Sequence, residues 1–82
     1  MFSREKFAQR IQLLRKERGE KQEDLAGVIG VSSAQVSEME RMRKTTTVEK
    51  LAAICEHYNV SADYLLGLTE ERRTLTMEHG EK

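Results

Sequence analysis

QEDLAGVIGVSSAQVSEMER, residues 22–41, is the stretch whose spacing decides the fold. Leu25, Ala26 and Ile29 share one helical face, and Gly30 follows at once. A second apolar pair, Val36 and Met39, lies three apart after Ser32. The pattern implies two short helices joined by a three-residue turn, Gly30 to Ser32. Ala26 falls on the inward face, where a larger side chain would hold the next helix too far away to cross it steeply. Gly30 can take the left-handed conformation that ends a helix at little cost, and Val31 then drops an apolar side chain into the corner. Ser32 followed by Gln35 fits a capping box, which satisfies free amides at the start of the second helix.

Working outward from this stretch, the same reasoning gives five helices. Ser3 caps a first helix with Glu5 in its first turn, and Phe7, Ile11 and Leu14 form an inward stripe that ends near Gly19. Thr46 and Glu49 are expected to form a second capping box. After it Leu51, Ile54, Cys55 and Tyr58 line the inward face of a fourth helix, which stops at Asn59. Ser61 starts a short fifth helix through Tyr64 and Leu65, closed by Gly67, and Val60 completes the core. The chain therefore reads as all-α, with residues 1–67 as one compact domain and residues 68–82 as a tail.

Length and composition are consistent with that organisation. Eighty-two residues suit a single domain with a modest core. There is no long apolar run, and the N-terminus MFSREKF is charged from Arg4 onward, so neither a membrane span nor a signal peptide is expected. The single cysteine, Cys55, has no internal disulfide partner, which fits a reducing compartment, the cytoplasm. Lys and Arg balance Asp and Glu at 14 each, yet the balance is uneven along the chain. Residues 1–46 carry ten basic against seven acidic side chains and residues 47–82 carry four against seven, giving +3 and −3. The stretch quoted above lies in the basic half, and Arg41, Arg43 and Lys44 cluster just beyond its second helix.

These segments together resemble the helix-turn-helix of the phage-repressor family, the lambda-repressor and Cro-like domains. Upstream, FAQRIQLLRKERGEKQEDLA is similar to the family's first helix and its basic run into the second, with Arg15, Arg18, Gly19 and Gln22 in their usual places. Downstream, LAAICEHYNVSADYLLG resembles the fourth and fifth helices, with NVSADYLLG a hallmark. The resemblance covers roughly residues 4–67 and implies a five-helix lambda-repressor-like domain whose partner is double-stranded DNA. In such proteins the second motif helix lies in the major groove with its N-terminal residues at base edges. With Val36 and Met39 turned inward, Ser33, Ala34, Ser37 and Glu38 are left for the groove, and these match the family's base-reading positions. Serine hydroxyls donate or accept, Ala34 suits a thymine methyl, and Glu38 accepts from a cytosine amino group. Gln22 resembles the glutamine whose side chain and amide meet a phosphate at a helix N-terminus. Lys21, Ser32, Arg41, Arg43 and Lys44 are the other expected backbone contacts. Gln35 is assigned first to its cap and second to DNA.

Three departures from the family pattern affect these expectations. Met42 stands where glycine is common, so the helix is expected to run on or the loop to take another path, since a left-handed methionine is costly. Thr46 stands where proline is common. Lys21 also replaces a threonine cap, which weakens the start of the first motif helix while adding a cation.

Catalysis is not expected. Cys55 and His57 are two positions apart on one helix and diverge by about 200°, so they cannot face a common metal. No paired carboxylates, glycine-rich phosphate loop or zinc spacing is present, and no cofactor or small-molecule ligand is expected. One short helix reads too few base pairs to single out a site, so a homodimer on an inverted repeat is expected, acting as a repressor. Leu66, Leu68 and the tail LTEERRTLTMEHGEK, with Leu75 and Met77, are candidates for the dimer surface. TLTM equally suits a short strand or disorder. The alternative is a protein-interaction module of the same fold with little DNA affinity, favoured by the neutral net charge, Glu38 and Met42.

Overall fold

The computed structural model describes residues 2–72, and among them the chain forms five helices. These are α1 (Arg4–Glu17), α2 (Gln22–Ile29), α3 (Ser33–Glu40), α4 (Val48–Tyr58) and α5 (Ala62–Leu65). Each starts after an extended residue. Ser3, Ser32, Thr47 and Ser61 accept a hydrogen bond from the amide three residues on, at 3.1, 3.2, 3.2 and 3.0 Å. Lys21 has no such acceptor, and α2 is secured from the other direction, by Asp24 Oδ2 accepting from the Lys21 amide at 2.8 Å. The lost threonine cap is thus half replaced.

The helix ends follow from backbone chemistry. Gly30 has φ 73° and Asn59 φ 57°, both left-handed, so the chain turns sharply after α2 and α4 as their residue types allow. Met42 has φ 66°, which overturns the expectation that it avoids this region. The reason lies in the carbonyls it helps to satisfy. With Met42 left-handed, its own amide donates to the Met39 oxygen at 3.1 Å and the Arg43 amide to the Glu38 oxygen at 2.9 Å, closing α3 in a Schellman arrangement. Two hydrogen bonds to otherwise free carbonyls offset a conformational cost of about 1–2 kcal/mol.

Thr47, not Thr46, caps α4, so the expected box between Thr46 and Glu49 is absent. Three successive threonines offer three registers. Capping at Thr47 leaves Leu51 and Ile54 directed at the core, with Ile54 fully buried.

Phe7, Ile11, Leu14, Leu25, Ala26, Ile29, Val36, Met39, Ile54, Tyr58, Val60, Tyr64 and Leu65 make one core shared by all five helices. Ala26 is 4% exposed where α2 meets α3, in keeping with its small size. Cys55 is half-buried against this core, and its burial pushes the thiol above its ordinary pKa.

Residues 68–72 pack back onto the helices. The Arg10 guanidinium, buried on α1, lies 4.2 Å over the Tyr64 ring and donates to the Tyr64 and Thr69 carbonyls and to Glu70. Arg72 closes a two-pronged pair with Glu17 at 3.0 and 2.7 Å, and its carbonyl accepts from the Ser61 amide at 2.8 Å. Gly67, at φ 81°, allows this return because a Cβ there would stand 2.9 Å from that of Ser3. Leu66 is half-buried and Leu68 exposed. Leu75, Met77 and the TLTM segment lie outside the described residues.

Candidate nucleic-acid interface

The spacing of α3 sorts its side chains sharply. Val36 is 0% and Met39 3% exposed, which locks the helix to the core. Ser33, Ala34 and Gln35 are exposed, while Ser37 and Glu38 are half-exposed on the outer side. The four expected base-reading residues are therefore all open to solvent on one eight-residue helix. Its start is set by the box foreseen from sequence: the Gln35 amide donates to Ser32 Oγ and the Ser32 amide to Gln35 Oε1, both at 3.2 Å. Gln35 thus spends its side-chain oxygen on the cap.

The surrounding cations are arranged unevenly. Lys21, Arg41, Arg43 and Lys44 are all exposed. Arg43 Nη1 lies 3.9 Å from Glu38 Oε2, so this pair partly cancels two charges assigned to opposite roles. Exposed and loose, it contributes little to stability. Gln22 Nε2 donates to Glu40 Oε1 at 3.1 Å, which leaves its second Nε2 hydrogen and the backbone amide at the head of α2 as donors for an anion.

Beside the start of α3, an open cleft of about 200 Å³ is lined by Val31, Gln35, Met39, Lys44, Lys50 and Thr45 to Thr47. It adds Thr45, Thr46 and Lys50 to the residues near α3. Sequence reasoning passed over Lys50 because it belongs to α4 and comes near α3 only through the loop between them.

The acidic end of α3 is held from inside. Arg15 donates from Nε to Glu40 Oε2 at 2.7 Å and from Nη2 to Glu40 Oε1 at 3.0 Å. The side chains are 10% and 4% exposed. Hydrogen bonding to Glu40 raises the Arg15 pKa against the opposing effect of burial. The third arm, Nη1, donates to the Glu20 carbonyl at 2.7 Å. A signal for this pair was present: Arg15 follows Ile11 by four and Glu40 follows Val36 by four, so each continues an inward apolar stripe.

Glu20 forms a second polar cluster. Its carboxylate accepts from Tyr58 Oη and contacts His57 Nε2, each at 2.6 Å. Burial pushes the Glu20 pKa up, but the bonds from Tyr58 and His57 outweigh it and hold it below the ordinary value. Burial and the facing carboxylate push the Tyr58 phenol well above its ordinary pKa. Local spacing could not join Glu20 to partners 37 and 38 residues away.

Among the described residues no three His, Cys, Asp or Glu are grouped to hold a metal, and no helix is long and apolar enough to cross a membrane.

Comparison with known proteins agrees with this geometry. Residues 11–65 match a family model described as Helix-turn-helix. A helix-turn-helix-type transcriptional regulator of Bacillus subtilis (strain 168), YobD, is 35% identical over 65 residues, covering 79% of this chain and 58% of the relative. The chain thus spans under two thirds of that protein. The fold matches the P22 c2 repressor in complex with synthetic operator 9T, with a TM-score of 0.72 and 32% identity over 77% of this chain and 96% of that one. A transcriptional regulator from Listeria innocua matches with a TM-score of 0.74 and 25% identity, covering 92% of this chain and 71% of its own. These relatives are transcriptional regulators rather than enzymes, and the chain belongs to the helix-turn-helix family of lambda-repressor-like transcriptional regulators.

Proposed function

We propose that this protein binds double-stranded DNA sequence-specifically through the outer face of α3 and represses transcription by occupying an operator. The observation that carries the reading is the division of α3, with Val36 and Met39 buried and Ser33, Ala34, Ser37 and Glu38 turned outward. The Ser and Ala side chains leave room for close approach to base edges, and Glu38 favours a cytosine amino group. Lys21, Ser32, Arg41, Arg43, Lys44 and the Gln22 backbone amide supply the phosphate contacts, with the cleft residues Thr45, Thr46 and Lys50 alongside. A DNA target, with relatives in Bacillus subtilis and Listeria innocua, supports a cytoplasmic protein of bacterial or phage origin.

Eight residues of recognition helix read about four or five base pairs, at roughly 1–3 kcal/mol each, too little to find one site in a genome. Two copies on half-sites about 34 Å apart supply the missing discrimination, so the operator is an inverted repeat and the protein a homodimer. Leu66, Leu68 and the residues that follow are the proposed contact between copies.

A salt series on random duplex tests the reading. With about three of the exposed cations per protomer on phosphates, about six in the dimer, log affinity falls against log salt with a slope near −5. The Glu38 and Arg43 pair favours a second reading, a protein-interaction module, because it lowers the positive potential beside α3. A flat response, or no binding at low salt, would leave that reading alone standing.

A further inference from the structure

We propose that His57, on α4, is a positioning residue for DNA binding, acting through Glu20, Arg15 and Glu40 on the head of α2 and the end of α3. The inference rests on the DNA-binding reading above. The contacts are continuous. His57 Nε2 and Tyr58 Oη hold the Glu20 carboxylate at 2.6 Å each. Arg15 then grips the Glu20 backbone twice, because its own carbonyl accepts from the Glu20 amide at 3.0 Å while Nη1 donates to the Glu20 carbonyl at 2.7 Å. The same guanidinium seats Glu40, and Glu40 in turn accepts from Gln22.

Glu20 immediately precedes Lys21, the N-cap of α2, which lacks a side-chain acceptor of its own. The entry to α2 is therefore fixed less by its cap than by the anchoring of Glu20 to α4. Arg18 adds to that anchor from the C-cap of α1, with its guanidinium 5.3 Å over the Tyr58 ring. The free amides at the head of α2 and the C-terminal turn of α3 are both set by groups meeting at Arg15. Releasing Glu20 from His57 loosens the first and, through the shared guanidinium, shifts the second.

The test compares His57→Ala, His57→Gln and Ile54→Val, the last a core change on the same helix but off the relay. Duplex affinity is measured well below each melting temperature, using operator selected from a random DNA pool. Amide resonances of the free proteins are recorded in parallel. His57→Ala is expected to weaken binding about threefold to tenfold, within the range for changes along contact networks. His57→Gln, which keeps a nitrogen for Glu20, restores it, and Ile54→Val leaves it unchanged. Without DNA, the Lys21, Gln22 and Glu40 resonances move in His57→Ala and return in His57→Gln. Adding Glu20→Gln to His57→Ala costs nothing further. Unchanged affinity in His57→Ala, stationary resonances at those three residues, or an equal loss in Ile54→Val would overturn the proposal. Failure of the parent protein to bind any duplex would overturn the DNA-binding reading instead, while the resonances of the free proteins still decide the relay.

Discussion

Removing one partner of the Arg15 and Glu40 pair should cost much more than removing both. Glu40→Leu leaves the Arg15 guanidinium 90% enclosed with the Glu20 carbonyl as its remaining acceptor, having lost bonds of 2.7 and 3.0 Å. An enclosed charge without its partner costs about 3–5 kcal/mol. Eighty-two residues imply a total stability of about 4–12 kcal/mol, so the single variant loses a large part of its margin. In urea, with a slope of about 1 kcal/mol per molar, a loss of 3 kcal/mol lowers the midpoint by about 3 M. The melting temperature falls by about 12–24 °C. Arg15→Met should behave alike, because the Glu40 carboxylate is more enclosed still. The double variant, Arg15→Met with Glu40→Leu, removes both charges and should lie within about 2 kcal/mol of the parent, the residue reflecting the orphaned Glu20 carbonyl and Gln22 amide. Circular dichroism during urea and thermal unfolding of the four proteins completes the cycle. A single variant within 1 kcal/mol of the parent, or a double variant no better than the worse single, would refute the reasoning.

Acid should destabilise the fold through Glu20, whose pKa lies below its ordinary value in the folded state. The sign follows: the contribution is present above the unfolded carboxylate pKa and is lost as pH falls through the folded one. Urea midpoints should therefore drop below about pH 4.3, and Glu20→Gln should flatten the drop. At the interface, Arg43→Ala should weaken operator and random DNA alike, whereas Ser37→Ala and Glu38→Ala should change sequence preference. Equal effects of all three on both DNAs, read by competition binding, would refute the assigned roles. Gly67→Ala should destabilise by more than about 1 kcal/mol, because it meets the left-handed penalty and a 2.9 Å approach to Ser3 together. Thermal melting checks this, and an unchanged melting temperature would count against the tight return of residues 68–72.

The course of the helices was readable because their signals are local. Ser32 with Gln35, Gly30, Asn59 and the Val36 and Met39 pair act within a turn or two of themselves, and each behaves in the structure as its chemistry requires. Thr46 was expected to cap α4 in place of Thr47 because three threonines offer equal local chemistry, and burial of the α4 face, a tertiary matter, selects the register. Met42 shows the opposite limit: its intrinsic cost was legible, but the two carbonyls that outweigh it belong to the closed end of α3. Arg10, Arg15 and Glu20 escaped notice as structural residues because charge suggests solvent. Their partners lie 25 to 60 residues away for the principal contacts, from Glu40 to Glu70. On α3, the exposure of Ser33, Ala34, Ser37 and Glu38 followed from helical period, whereas the bond from Gln22 to Glu40 depended on how α2 crosses α3.

The most direct test is where a duplex touches the protein. Titrating operator DNA into isotope-labelled protein and following the amide resonances should move those of Ser33 to Glu38, Lys21, Gln22 and residues 43–47 first and furthest. Changes confined to α5 and residues 68–72, with α3 unmoved, would contradict it.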